Sequence, residues 1–154
     1  MQPEVYKRLK LKEFFCIAKG KLKTFPGVKE LINQLKRSGL KLAIASSSPV
    51  EKLRFTLKEV GLWKVFGVVV CANDVQHAKP NPEIYLKAAK RMKLSPKECL
   101  AIEDTLQGIR SAKGAGMVCL AVTNTMPSYK LKEADLVVAT LKGLSVARLR
   151  QLFV

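Results

Sequence analysis

The sequence predicts an α/β domain: a parallel sheet covered by helices on both faces. Three observations carry this. From Gly27 onward, segments with helical period alternate with short apolar runs. Those runs are continuously apolar, as in strands buried on both faces and joined by right-handed crossovers. The boundaries between segments also carry the punctuation that helices and turns require. The 154 residues suit one core rather than two. With 48% apolar and 26% charged residues, the chain lies far from the low-hydrophobicity composition of disorder.

The elements follow in order. Val28, Leu31, Ile32 and Leu35 repeat at helical spacing and stop before Gly39; Leu40 to Ala45 then reads as a strand. Ser48 and Glu51 have the spacing of a capping box, Pro49 suits a first helical turn, and Val50, Leu53, Leu57 and Val60 form one face ending at Gly61. Val65 to Cys71 is the next strand. Asn81 and Pro82 open a helix with Tyr85, Ala88, Ala89 and Met92 inward, and Ser95 with Glu98 caps a short turn before the strand Cys99 to Ile102. Leu106, Ile109, Ala112 and Ala115 form a helix closed by Gly116, followed by the strand Val118 to Val122. Leu136 to Ala139 is a last short strand, before a helix built on Leu144, Val146, Leu149 and Leu152. Upstream, Val5, Leu9 and Leu11 to Ile17 read as helix.

No apolar run approaches the roughly 20 residues needed to cross a bilayer, and Phe14 to Ala18 is too short for a signal-peptide core. The expectation is a cytoplasmic protein without a membrane partner. Cys16, Cys71, Cys99 and Cys119 are widely spaced, without a Cys-x-x-Cys pair, and read as buried reduced thiols. The formal charge of +16 calls for an anionic partner: nucleic acid, lipid or a phosphorylated metabolite. Lysines are spread over nearly every helix, with no basic stripe interleaved with aromatics, so a specific nucleic-acid surface is not expected. The stretch Lys7 to Lys23, with seven positive charges against Glu13, could attract polyanions without reading their sequence, and a solvated helix face explains it equally well.

In parallel α/β sheets, ligands sit beyond the carboxyl ends of the strands. Three such ends carry chemistry. Ser46-Ser47-Ser48 places hydroxyls and main-chain N–H groups at a helix N-terminus, which favours an anion; helix capping is the competing role. Lys79 stands in a long connection, stiffened by Pro80 and Pro82, where a positioned ammonium can offset phosphoryl charge; taken by itself, a solvated lysine is the competing role. His77, the single histidine, reads as a loop residue. Glu103 and Asp104 end an apolar strand in a chain with three aspartates, and such a pair suits Mg²⁺, which takes one or two carboxylates plus waters and phosphate oxygens. Asp104 as a helix N-cap is the alternative. Together the three ends suggest phosphoryl chemistry.

In this combination the chain resembles the haloacid dehalogenase-like (HAD) hydrolase superfamily, in the branch with β-phosphoglucomutase and small-sugar phosphatases. Residues 25 to 125 carry the resemblance. Phe25-Pro26-Gly27-Val28 with Leu31 and Leu35 is similar to the family's return from cap to core, and Leu42-Ala43-Ile44-Ala45-Ser46-Ser47 to its second motif. Lys79-Pro80-Asn81-Pro82-Glu83-Ile84-Tyr85 is similar to the third motif. Ile102-Glu103-Asp104-Thr105, Gly108-Ile109 and Ala115-Gly116-Met117 are similar to the fourth. The resemblance implies a Rossmann-like core over 26–154, with 1–25 as the remnant of a cap helix and linker. It further implies that Ser46, with Ser47, binds the transferring phosphoryl group, that Lys79 offsets its charge, and that Asp104 ligates Mg²⁺ with Glu103 assisting directly or through water. The implied function is a Mg²⁺-dependent phosphatase or phosphomutase acting on a small phosphorylated metabolite.

The family's first motif, Asp-x-Asp-x-Thr after an apolar strand, has no counterpart: Asp74, Asp104 and Asp135 are the only aspartates. Its first aspartate is the nucleophile, so this chain alone is expected to be inactive. A catalytically silent phosphate- and metal-binding module, or a truncated fragment with a regulatory role, is the alternative. The motif's strand lies centrally in the family's sheet, and its absence would separate its neighbours by roughly 9.6 Å. Three outcomes are open: a complementing N-terminal segment or second chain fills the slot, the flanking strands pair directly, or an internal segment such as Phe14 to Ala18 enters it.

Overall fold

The computed structural model describes residues 2–153. Helix α1 (Pro3–Ala18) is followed by α2 (Val28–Arg37), β1 (Ala43–Ala45), α3 (Val50–Glu59), β2 (Val68–Val70), α4 (Glu83–Met92), β3 (Leu100–Glu103), α5 (Leu106–Gly114), β4 (Val118–Val122), β5 (Leu136–Val138) and α6 (Val146–Arg150). Every strand pairing is parallel. β1 pairs β2 with Ala43 opposite Val68 and Ala45 opposite Val70. β4 stands between β3 and β5, with Glu103 opposite Ala121 and Leu120 opposite Leu136. The expected layered α/β fold is therefore present.

The sheet is split. Among the described residues β1 and β3 do not pair, so one sheet holds β1 and β2 and the other β3, β4 and β5. The flanking strands have not closed on one another. Nor does an internal segment fill the slot, because Phe14 to Ala18 lies in α1. The peptide groups of β1 explain how its edge is used. Ser46 N–H donates to Val70 O at 2.9 Å and Leu42 O accepts from Gly67 N at 3.1 Å, so these alternate residues face β2. Successive strand residues direct their peptide groups to opposite sides, which turns Ala43 and Ala45 toward the split. Ile102 of β3 is 38% exposed between buried Ala101 and Glu103, unlike a residue in a fully covered parallel strand.

One core nevertheless spans both sheets. Ile84, Tyr85, Ala88 and Ala89 of α4 and Ile109 and Ala112 of α5 pack with Val70, Ala101, Cys119 and Ala121, and Ala45 and Val68 join their margin. On the opposite face Leu31, Leu141, Leu144 and Leu149 cover Leu120 and Val122. Gly27, at φ 86°, starts α2 where a Cβ would run into the backbone of Leu141 and Lys142. Only glycine meets both demands there.

Several local expectations are corrected. The apolar runs Leu40 to Ala45 and Val65 to Cys71 contain only three strand residues each. Leu40 N–H bonds back to Leu35 O at 3.1 Å to close α2, and Val65 N–H bonds to Leu62 O at 3.1 Å in a turn. The Ser48–Glu51 capping box does not form; Pro49 is the N-cap of α3, and Val50 N–H donates to Asn73 Oδ1 at 3.0 Å. The Ser95–Glu98 box does form, with Ser95 N–H donating to Glu98 Oε2 at 2.8 Å. Cys71, Cys99 and Cys119 are buried free thiols, but Cys16 is exposed. Helix α1 holds to α3 through Phe14 and Phe15, whose rings lie 6.1 and 4.8 Å from that of Phe55. Its opposite side leaves Val5, Leu9 and Ile17 exposed. No described helix is long and apolar enough to cross a membrane.

Leu120 is fully buried where β4 meets the α2 and α6 side of the core. Leu120→Ala is expected to cost about 2–5 kcal/mol, from lost transfer energy and an uncollapsed cavity, as read from urea unfolding midpoints. A loss below about 1 kcal/mol would contradict this packing.

Candidate active site

The site forms at the carboxyl ends of β1 and β3. After β1, the Ser46 Oγ accepts from Ser48 N–H at 3.2 Å, and Ser48 O accepts from Ala72 N–H at 3.1 Å. No serine side chain caps α3. Capping therefore does not account for this hydroxyl cluster.

The loop that carries Lys79 is tied down on both sides. Glu83, in the first turn of α4, accepts from Gln76 N–H at 3.1 Å and from His77 N–H at 2.9 Å. These main-chain donors, then the His77 ring and Lys87, hold the Glu83 carboxyl down at about 2 from its ordinary 4.5. His77 points to Glu83 and is exposed, as a loop residue should be. On the other side, Ser111 Oγ donates to Asn81 O at 2.7 Å. The Lys79–Pro80 peptide between them is cis.

So held, the Lys79 ammonium reaches across the split. It donates to Ala45 O at 3.2 Å on β1, to the Tyr85 hydroxyl at 3.4 Å on α4, and through a short contact to Glu103 Oε1 on β3. The Lys79 and Glu103 side chains are only 13% and 7% exposed. Lys79 thus lies beside the residue preceding Ser46 and in contact with the residue preceding Asp104. The three regions singled out in the sequence meet at one rim.

Glu103 and Asp104 have different surroundings. Glu103 Oε1 accepts from both Lys79 and the Tyr85 hydroxyl, while Oε2 accepts from Asp104 N–H at 3.3 Å. Gly108 packs against this carboxylate so closely that a Cβ there would overlap it. Asp104 is more open. Its Oδ2 accepts from Thr125 Oγ1, and its Oδ1 accepts no hydrogen bond among the described residues. The N-cap of α5 is Thr105, whose side chain accepts from Gly108 N–H at 3.1 Å, so Asp104 does not serve as the cap.

Tyr85 and Thr125 were not legible as site residues. Tyr85 reads as an inward-facing residue of α4 at the end of the third-motif segment, and the signals available for a site role are that position and the need of a buried phenol for a polar partner. Burial, then the Glu103 charge, pushes its hydroxyl well above the usual range and keeps it a donor. Thr125 lies in the segment after β4 with no motif to mark it. The remaining aspartates belong elsewhere. Asp74 pairs with Arg91 at 2.6 Å and accepts from Cys71 N–H at 2.8 Å. Asp135 pairs with Lys113 at 2.6 Å and accepts from Cys119 N–H at 2.7 Å.

Two outcomes follow from these contacts. Tyr85→Phe should destabilise the protein by about 1–3 kcal/mol, the cost of removing one donor from a buried carboxylate; unchanged thermal unfolding would show that the hydroxyl contributes nothing. Because the Glu83 value is lowered by folding, its stabilisation is complete above about pH 4.5 and lost as pH falls through about 2. Hydrogen exchange at Gln76 and His77 should therefore accelerate, relative to the intrinsic rate, over that window. In Glu83→Gln the acceleration should be present already at neutral pH.

In sequence and in fold the chain is similar to known hydrolases. The haloacid dehalogenase-like hydrolase family model matches residues 3–116. The phosphatase-named protein YhcW of Bacillus subtilis is 48% identical over 102 residues, 66% of this chain and 46% of the relative. The phosphorylated carbohydrates phosphatase of Thermotoga maritima is 38% identical over 96 residues, 62% of this chain and 44% of the relative. Among solved structures, CbbY of Rhodobacter sphaeroides in complex with phosphate aligns with TM-score 0.90 at 28% identity, over 97% of this chain and 69% of that one. The β-phosphoglucomutase of Clostridium difficile aligns with TM-score 0.77 at 28% identity, over 84% and 56%. The chain spans less than half the length of the two curated relatives. With its parallel strands, its motifs in order and three-quarters of its length matched, the chain belongs to the haloacid dehalogenase-like hydrolase family.

Proposed function

We propose that this chain supplies the phosphate- and Mg²⁺-binding part of a phosphatase or phosphomutase that acts on a small phosphorylated metabolite in the cytoplasm, its core formed by 26–154. The observation that carries this reading is the half-buried Lys79, held between Ala45 O and Glu103. The Ser46 hydroxyl and the hydroxyl and main-chain N–H of Ser47 bind phosphoryl oxygens, the Ser46 N–H being held by Val70 O, and Lys79 offsets their charge. The surplus of +16 attracts anions to the surface without specifying a nucleic acid.

The donor set fits a hard divalent cation. Asp104 offers Oδ1, and a Mg²⁺ site completes itself with waters and substrate oxygens. Asp104 is the direct ligand, while Glu103, with both oxygens engaged, acts through water and secures Lys79. When bound, Mg²⁺ would draw charge from the phosphoryl oxygens.

Neither Asp74 nor Asp135 is available as a nucleophile, since each is committed to a local ion pair. That β1 and β3 do not pair leaves room in this reading for a strand between them. An extended apolar segment ending in Asp-x-Asp, from a longer polypeptide or a second chain, fills it and brings the nucleophile. Without that segment the 154 residues are inactive. The same aspartate pairings favour a second reading, a silent phosphate- and metal-binding module.

The two readings separate in a hydrolysis assay with p-nitrophenyl phosphate and Mg²⁺. Alone, the chain should turn over on the order of 10⁴-fold or more below a complete enzyme. A peptide carrying an Asp-x-Asp-x-Thr strand should restore activity; phosphate binding without restoration supports the silent module. In either case Asp104→Ala should abolish Mg²⁺ binding in a calorimetric titration, and an unchanged titration would exclude this ligand assignment.

A further inference from the structure

We propose that Thr125 is a positioning residue for Asp104: its hydroxyl holds Oδ2 and so presents Oδ1 to a divalent cation. The inference rests on the metal-site reading above and extends it to a residue outside the motifs. The two residues are 21 positions apart and meet because β3 and β4 pair in register, Glu103 opposite Ala121, so the segments that follow each strand leave at the same rim.

The main chain is anchored on either side of exposed Thr125 and next to Asp104. Asp104 N–H donates to Glu103 Oε2 at 3.3 Å, and the next residue, Thr105, caps α5. On the Thr125 side, Thr123 N–H donates to Val138 O at 3.0 Å, Lys130 N–H donates to Pro127 O at 3.0 Å, and Leu131 is fully buried. What this leaves undetermined is the carboxylate itself. The terminal torsion of an aspartate is broad and nearly two-fold, so a fixed main chain does not fix where each oxygen points. The Thr125 hydroxyl resolves that. It occupies one oxygen and leaves the other without a hydrogen bond among the described residues. A carboxylate oriented in this way gives up less rotational freedom on binding a cation. Partners of metal ligands typically contribute 10–100-fold to affinity.

The contact could instead satisfy a solvent-facing carboxylate and do nothing more. Metal affinity distinguishes the two roles. The probe is Mn²⁺, whose paramagnetic broadening of the amide signals of residues 103–106 locates and titrates even a weak site, backed by Mg²⁺ calorimetry on the full chain. Thr125→Val keeps the shape and removes the donor; it should weaken Mn²⁺ binding about 10-fold with the unfolding temperature unchanged. Thr125→Ser restores a hydroxyl and should return affinity to within about 2-fold of the parent. Equal affinity in parent and Thr125→Val would overturn the positioning role and leave the metal site intact. No site-specific broadening in the parent protein would overturn the metal-site reading and this inference with it.

Discussion

The Lys79 to Glu103 ion pair is the contact on which the site depends, because it joins two sheets that have no strand pairing between them. A buried pair contributes little on balance, since desolvation offsets most of the attraction. Losing one partner is a different matter, because the other is then left charged with only neutral hydrogen-bond partners, at a cost of about 3–5 kcal/mol. The local design shares this burden. Tyr85 donates to the same carboxylate oxygen, Ala45 O takes another ammonium proton, and Gly108 leaves room for the carboxylate. The group that meets the phosphoryl charge in the proposed function is therefore also a brace of the fold.

Helix α4 makes that dual use feasible. Its inner face supplies Ile84, Tyr85, Ala88 and Ala89 to the core that spans both sheets. Glu83 at its start pins the loop that delivers Lys79, and Tyr85 two residues further closes the network around Glu103. Apolar packing beneath and hydrogen bonds above keep β1 and β3 facing one another across the split. Acidic residues are scarce in this chain, and two of its three aspartates serve local ion pairs. Asp104 alone remains open at the rim.

Much of this was legible along the chain. The helical period of Leu31 and Leu35, and of Ile109 and Ala112, marked faces that are indeed turned to the core. Val118 to Val122 was bounded correctly because Gly116 and the polar Thr123 flank it. The errors arose where hydrophobicity and backbone conformation separate. Leu40 and Val65 are apolar but belong to turns, since their N–H groups bond back to Leu35 O and Leu62 O. Ser48 and Glu51 have capping-box spacing, yet Asn73, over twenty residues away, offers Val50 the acceptor. A distant partner overrode a local signal.

The sequence by itself determined the alternation of helices and strands, the parallel order, and the residues that stand at strand ends, because period, punctuation and motif spacing are local properties of a chain. Only the tertiary structure decided how the surroundings of Glu103 and Asp104 differ, since that depends on Tyr85, Gly108 and Thr125, which come from three separate segments. It also decided that β1 and β3 remain apart. Whether two edges close depends on what packs above and below them, and no stretch of sequence contains that information.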